Sequence, residues 1–67
     1  MRLTVNGRDV VDIGDGLSVA ALVARLTEAR RGVAVAVNGE VVPRSTWETS
    51  RLTDGDAVEV LTATQGG

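Results

Sequence analysis

The 67-residue sequence predicts an α+β fold, a mixed sheet of about five strands packed against one main helix. Three observations carry that expectation. Short runs at both ends of the chain alternate apolar and polar residues, the period of a half-buried strand. One segment between them switches to the helical period. Asn-Gly occurs twice, at 6–7 and 38–39, and this dipeptide favours the hairpin turn whose two central residues need positive φ.

Taken in order, "RLTVN" places Leu3 and Val5 on one face and Arg2 and Thr4 on the other. After Asn6-Gly7, "RDVVDI" returns as a second strand, with Val11 and Ile13 expected inside and Val10 outside. "GDG" then breaks the sheet. In "LSVAALVARLTEARRG", Val19, Leu22, Val23 and Leu26 fall at i, i+3, i+4 and i+7 and form one apolar stripe. Ser18 can cap the first turn, and Leu17 with Leu22 has the spacing of a hydrophobic staple. Arg30 and Arg31 suit a last turn, with Gly32 as the residue just beyond it. "VAVAVN" points Val33, Val35 and Val37 one way and Ala34 and Ala36 the other. Asn38-Gly39 turns the chain into "EVVP", where Pro43 marks an edge because it cannot donate to a ladder. Ser45 and Glu48 have capping-box spacing, so a helical turn is expected near 46–50, carrying Trp47. "TDGD" is read as a tight turn. "AVEVLT" is the last strand, with Val58 and Val60 inward and Glu59 and Leu61 outward.

The expected core is Leu3, Val5, Leu22, Leu26, Val35, Val37, Val58 and Val60, with Trp47, the sole aromatic, as a core plug. The order β-β-α-β-β-turn-β, with a hairpin on either side of a helical crossover, makes the first and last strands central neighbours. This is the ubiquitin-like β-grasp arrangement. Residues 1–62 form the domain, and 63–67 are a flexible tail ending in Gly-Gly.

Composition removes several classes of function. Cysteine and histidine are both absent, which excludes disulfides, cysteine metal sites and the commonest general base. Asp54, Asp56 and Glu59 alternate in direction and lack a histidine, so no metal site is expected. The net charge is −2, giving no basic footprint for nucleic acid. No apolar run approaches a membrane span and no signal-peptide pattern opens the chain, so a cytoplasmic protein is expected.

The stretch "VAVNGEVVPRSTWETSRLTDGDAVEVLTATQGG" resembles the ThiS family, the sulfur carriers of thiamine biosynthesis. The resemblance rests on "AVNGEVVPR", a Trp four residues after the Pro, "LTDGDAVEV" and the terminal Gly66-Gly67. Thr64 departs from it, since an apolar residue is expected there. The resemblance implies that an ATP- and Mg-using activating enzyme adenylates the Gly67 carboxylate. A sulfur donor protein then displaces AMP to leave a thiocarboxylate, and thiazole synthase takes up the sulfur. On this reading the chain is a protein co-substrate, neither enzyme nor cofactor carrier. Gly66, Gln65 and Thr64 complete the tail, and glycine's open φ/ψ suits threading a narrow channel. From Leu61 the tail can extend about 20 Å. Leu61, outward near the tail, is expected to join Ala63, Ala34 and Ala36 in a partner-binding surface. Three other readings stay open from the sequence: a molybdopterin-type carrier, a ubiquitin-like protein modifier and an inert β-grasp binding module. The absence of lysine excludes only lysine-linked chains of this protein on itself.

Overall fold

The computed structural model describes residues 1–10, 14, 16–28 and 31–63. Its elements are β1 (Leu3–Val5), β2 (Arg8–Val10), α1 (Val19–Leu26), β3 (Val33–Val37), β4 (Glu40–Val41), a 3-10 turn (Arg44–Thr46) and β5 (Ala57–Thr62). The strands form one mixed sheet in the order β2-β1-β5-β3-β4. β1 and β5 run parallel at the centre, and every other pairing is antiparallel. One helix against such a five-stranded sheet is the ubiquitin-like β-grasp fold.

The two Asn-Gly turns place both hairpins. Asn6 and Asn38 take φ of 51° and 52°, each followed by a glycine with positive φ. Both carboxamides also reach the central strand. Asn6 Nδ2 donates to the Val60 carbonyl (3.1 Å) and its Oδ1 accepts from Val60 N–H (2.8 Å). Across β5, Asn38 Oδ1 accepts from Ala57 N–H (3.0 Å), and its Nδ2 donates to Asp56 Oδ1 (3.0 Å). The strands beside β5 are shorter than β5 itself, and these side chains supply rungs that backbone does not.

A two-residue loop also fixes parity. Asn6-Gly7 pairs Leu3 with Val10 and Val5 with Arg8. Opposite residues of an antiparallel pair share a face, so Val10 lies on the core side with Leu3, where it is half-buried. The expected outward Val10 is corrected. Val11 and Ile13 lie outside the described residues.

Helix α1 begins as expected. Ser18 is the N-cap, and its Oγ accepts from Ala21 N–H at 3.0 Å. The remaining first-turn amides are also satisfied. Val19 N–H donates to the Ser50 carbonyl (2.9 Å), Ala20 N–H to Trp47 (3.1 Å) and Leu22 N–H to Ser18 (3.0 Å). The segment 47–52 is thereby stitched to the helix start, and Leu52 N–H closes onto the Leu17 carbonyl at 2.8 Å.

The helix end differs from expectation. It stops at Leu26, with extended Thr27 as C-cap, so neither Arg31 nor Gly32 belongs to it. Arg30 lies outside the described residues. The apolar stripe of the sequence ends at Leu26, and the residues after it are polar, so the helical period has no further apolar position to continue it. Leu26 itself is 46% exposed and lies outside the core, which corrects its expected place there. In the terminal turn it borders a surface hollow with Val5, Asn6, Arg8 and Val10, so one side of it stays open.

The core otherwise follows the alternation. Leu3, Val5, Val19, Leu22, Val23, Val35, Trp47, Leu52, Val58 and Val60 are buried, and Val33 and Val37 pack against them half-buried. Trp47 fills the core as expected, its Nε1–H donating to the Val42 carbonyl at 2.9 Å. Arg44 stacks its guanidinium 5.4 Å from the Trp47 ring centroid. The turn that carries Trp47 starts earlier than expected, at Arg44, with Pro43 as N-cap and no side-chain capping bond. The capping box of Ser45 and Glu48 does not form. Thr46 Oγ1 donates to the Pro43 carbonyl instead (2.9 Å).

"TDGD" is a turn locked to β1. Asp54 Oδ1 accepts from Arg2 N–H, and Gly55 N–H donates to the Arg2 carbonyl. Partial burial of Asp56 would raise its pKa. Donation from the Thr53 N–H, the Asn38 carboxamide and the Thr53 hydroxyl outweighs this and holds the carboxyl below its ordinary 3.8.

Candidate functional site

The base of the tail is the end of β5. Inward valines alternate with outward residues along this strand, burying Val58 and Val60 and leaving Glu59 and Leu61 in solvent. β3 follows β5 to its last residue, pairing Val33 with Thr62, Ala34 with Leu61, Val35 with Val60, Ala36 with Glu59 and Val37 with Val58. β1 pairs only with its start, at Ala57 and Val58. The Asn6 carboxamide then occupies Val60, two residues further along. One more rung follows the strand: Ala63 N–H donates to the Gly32 carbonyl at 2.6 Å. The chain therefore reaches Ala63 held by backbone bonds on its β3 side.

Of the residues singled out in the sequence, Leu61, Ala34, Ala36 and Ala63 meet on the outer face of the sheet at this end. Leu61 and Ala34 stand directly opposite, and Leu61 is 66% exposed. Ala63 is exposed and Ala36 half-buried. Ala36 is paired with exposed Glu59, which sets one negative charge beside the small apolar area. Across the next rung, Val41 opposes Ala36 and is 77% exposed, so the apolar character continues to the β4 edge. Thr64, Gln65, Gly66 and Gly67 lie outside the described residues.

Sequence reasoning missed Gly32, which it assigned to a helix end. The residue has φ of +70°, and a Cβ there would stand 2.9 Å from the Cβ of Ala63. Its signal in the sequence was its place immediately before the strand that accompanies β5. Leu52 was missed as core because it sits in an irregular segment with no period to betray it. Among the described residues no group of three acidic, cysteine or histidine side chains could hold a metal ion. Among them, too, no helix is long and apolar enough to cross a membrane.

The whole chain, residues 1–67, matches the family model described as the ThiS family. It is 34% identical over 67 residues to a thiazole synthase of Paramagnetospirillum magneticum strain AMB-1, covering 100% of this chain but spanning only 20% of that protein. It is 33% identical over 52 residues to the sulfur carrier protein ThiS of Escherichia coli strain K12, covering 78% of this chain and 79% of the carrier. The crystal structure of the thiamine biosynthesis protein ThiS from Geobacter metallireducens superposes with a TM-score of 0.81 at 42% identity, covering 100% of both chains. The solution structure of a thiamine biosynthesis protein from the same organism gives a TM-score of 0.83 over 100% of this chain and 88% of that one. With a family match over its full length and relatives above 30% identity, the chain belongs to the ThiS family.

Proposed function

We propose that this chain is a sulfur carrier of thiamine biosynthesis whose reactive group is the Gly67 carboxylate. The observation that carries the reading is the full-length likeness, at 42% identity, to a ThiS protein. An α-carboxylate does not accept sulfur until it is activated. An activating enzyme using ATP and Mg converts it to an acyl-adenylate and releases pyrophosphate. A sulfur donor protein supplies a sulfide equivalent that attacks the acyl carbon. AMP leaves, a proton passes to solvent, and a thiocarboxylate remains. Thiazole synthase is the acceptor, a partner supported by the likeness of this chain to a segment of one such enzyme. The carrier is read as a cytoplasmic co-substrate, with Thr64, Gln65 and Gly66 threading the partner's channel. Leu61, Ala34, Ala63 and Ala36 form the surface on which the activating enzyme docks. Family membership favours this role over the molybdopterin-type carrier, the protein modifier and the inert module.

The test is intact mass after incubation with the activating enzyme, ATP, Mg and a sulfur source, read as one sulfur gained for one oxygen lost. Deleting Gly67 should abolish the gain. Gly66→Ala keeps the carboxylate and adds one methyl, and a clash of about 1.4 kcal/mol in the channel lowers the rate tenfold. Full loading of the Gly67-deleted chain would exclude the carrier role.

A further inference from the structure

We infer that Gly32 is a positioning residue for the C-terminal tail, an inference that rests on the sulfur-carrier reading above. Five described glycines have positive φ: Gly7, Gly16, Gly32, Gly39 and Gly55. At four of them a Cβ would meet nothing within 4 Å, so glycine answers only the demand of a turn. Gly32 is different. Its Cβ would lie 2.9 Å from the Cβ of Ala63, and its own carbonyl accepts the Ala63 N–H at 2.6 Å. The missing side chain lets the two backbones close into a rung beyond Val33 and Thr62, the last paired residues of the sheet.

That rung fixes the residue from which positions 64–67 depart. Carbon atoms in contact prefer separations of about 3.5–4.0 Å, so a methyl on residue 32 displaces Ala63 by roughly 1 Å. The methyl of Ala63 has no rotamer through which to swing aside, so the backbone must yield. The core is spared, because Val60 is the last buried residue of β5. The origin of the tail, Ala63, moves relative to Leu61 and Ala34, and an activating enzyme seated on those residues meets a displaced tail base. Misplacements of about 1 Å can cost a reaction as much as 100-fold.

The experiment follows thiocarboxylate formation on the full chain with the activating enzyme, ATP, Mg and sodium sulfide, below the melting temperature of every variant. Gly32→Ala should lower kcat by about tenfold, equivalent to 1.4 kcal/mol, with a smaller change in KM, because Ala63 shifts while Leu61, Ala34 and Ala36 of the docking surface stay in place. Gly39→Ala imposes similar backbone strain, at φ of +84°, with no neighbour to strike, and should load like the parent. The deciding variant is Gly32→Ala with Ala63→Gly, which removes the struck methyl but keeps the strain at residue 32. Its loading should return to that of Ala63→Gly alone while its Tm stays low. If Gly32→Ala does not fold, Gly32→Asn replaces it, since asparagine already holds φ near +50° at residues 6 and 38. A parent chain that takes no sulfur overturns the carrier reading and this inference with it. A loaded parent matched by Gly32→Ala overturns the positioning role alone. So does a loss confined to KM, or a double variant no better than the single.

Discussion

The two faces of the sheet are built from alternate residues of the same strands, yet they answer to different demands. On the inner face Leu3 and Val58 are at most 1% exposed, beneath a helix and Trp47. On the outer face Leu61 and Val41 are 66% and 77% exposed, and Ala34 and Ala57 are open as well. No described helix covers that side, and at the β3–β5 end Leu61, Ala34 and Val41 are small or apolar where polar residues would dissolve better. Inner-face residues hold the fold together. Outer-face residues contribute little to that, which leaves them free to meet a partner. Neighbouring positions on one strand should therefore separate stability from loading.

The largest effect is expected inside. Leu3→Ala should cost about 2–5 kcal/mol, the range for a buried leucine. A chain of this size rarely holds more than about 3–5 kcal/mol in all, so Leu3→Ala should be largely unfolded at room temperature by circular dichroism. Leu26→Ala removes the same atoms from a half-open site and should cost clearly less. Equal melting temperatures for the two variants would erase the distinction between core and rim.

Next come the two asparagines that grip β5 from either side. Glycine at residue 6 or 38 accepts the positive φ and deletes only the carboxamide. Asn6→Gly leaves the part-buried Val60 N–H without its partner, which costs about 1–3 kcal/mol. The Ala57 N–H served by Asn38 lies at an exposed site, where water replaces the bond. Chemical denaturation should therefore show a larger loss for Asn6→Gly than for Asn38→Gly. A reversed order would mean that exposure does not set the value of these bonds.

These asparagines also show where sequence reading stops. Alternation made the inner face of β1, β3 and β5 legible, and the turn dipeptides made the hairpins legible, because both signals are local. Parity at Val10 was legible too, since a two-residue loop fixes it, but hydrophobic preference for Val11 and Ile13 was followed instead. The helix end was misread because Arg30, Arg31 and Gly32 imitate a terminus in sequence, whereas the helix closes at Leu26 with extended Thr27 as its cap. The bonds of Asn6 to Val60 and of Gly32 to Ala63 join residues 54 and 31 positions apart along the chain. No pattern within a short window carries them. The outer face at Leu61 and Ala34 was legible as exposed, whereas its pairing register required β3 and β5 together.

Leu61→Asp probes the outer face directly. The side chain touches no core, so stability should change by no more than about 0.5 kcal/mol. Sulfur loading should nevertheless fall about tenfold, or 1.4 kcal/mol, since a second carboxylate joins Glu59 where an apolar contact is proposed. A folded Leu61→Asp chain loaded at the parent's rate would take this face out of the docking surface.

The smallest effect belongs to Asp56, at the start of β5, which serves neither face. Its carboxyl is held below the ordinary 3.8 because bonds from Thr53 and Asn38 outweigh partial burial. A group with a lowered folded-state pKa stabilises the fold above its unfolded value, and loses that contribution as pH falls through the folded one. The parent should therefore exceed Asp56→Asn in stability near neutral pH by a constant amount. That difference should shrink as the solution is acidified below 3.8. The remaining carboxylates are common to both proteins and cancel in the comparison. Denaturant midpoints measured across the acid limb give the difference directly. A gap that persists unchanged into strong acid would assign the role of Asp56 to the shape of its turn and not to its charge. Sulfur loading at neutral pH should be the same for both, because Asp56 lies at the opposite end of β5 from Ala63.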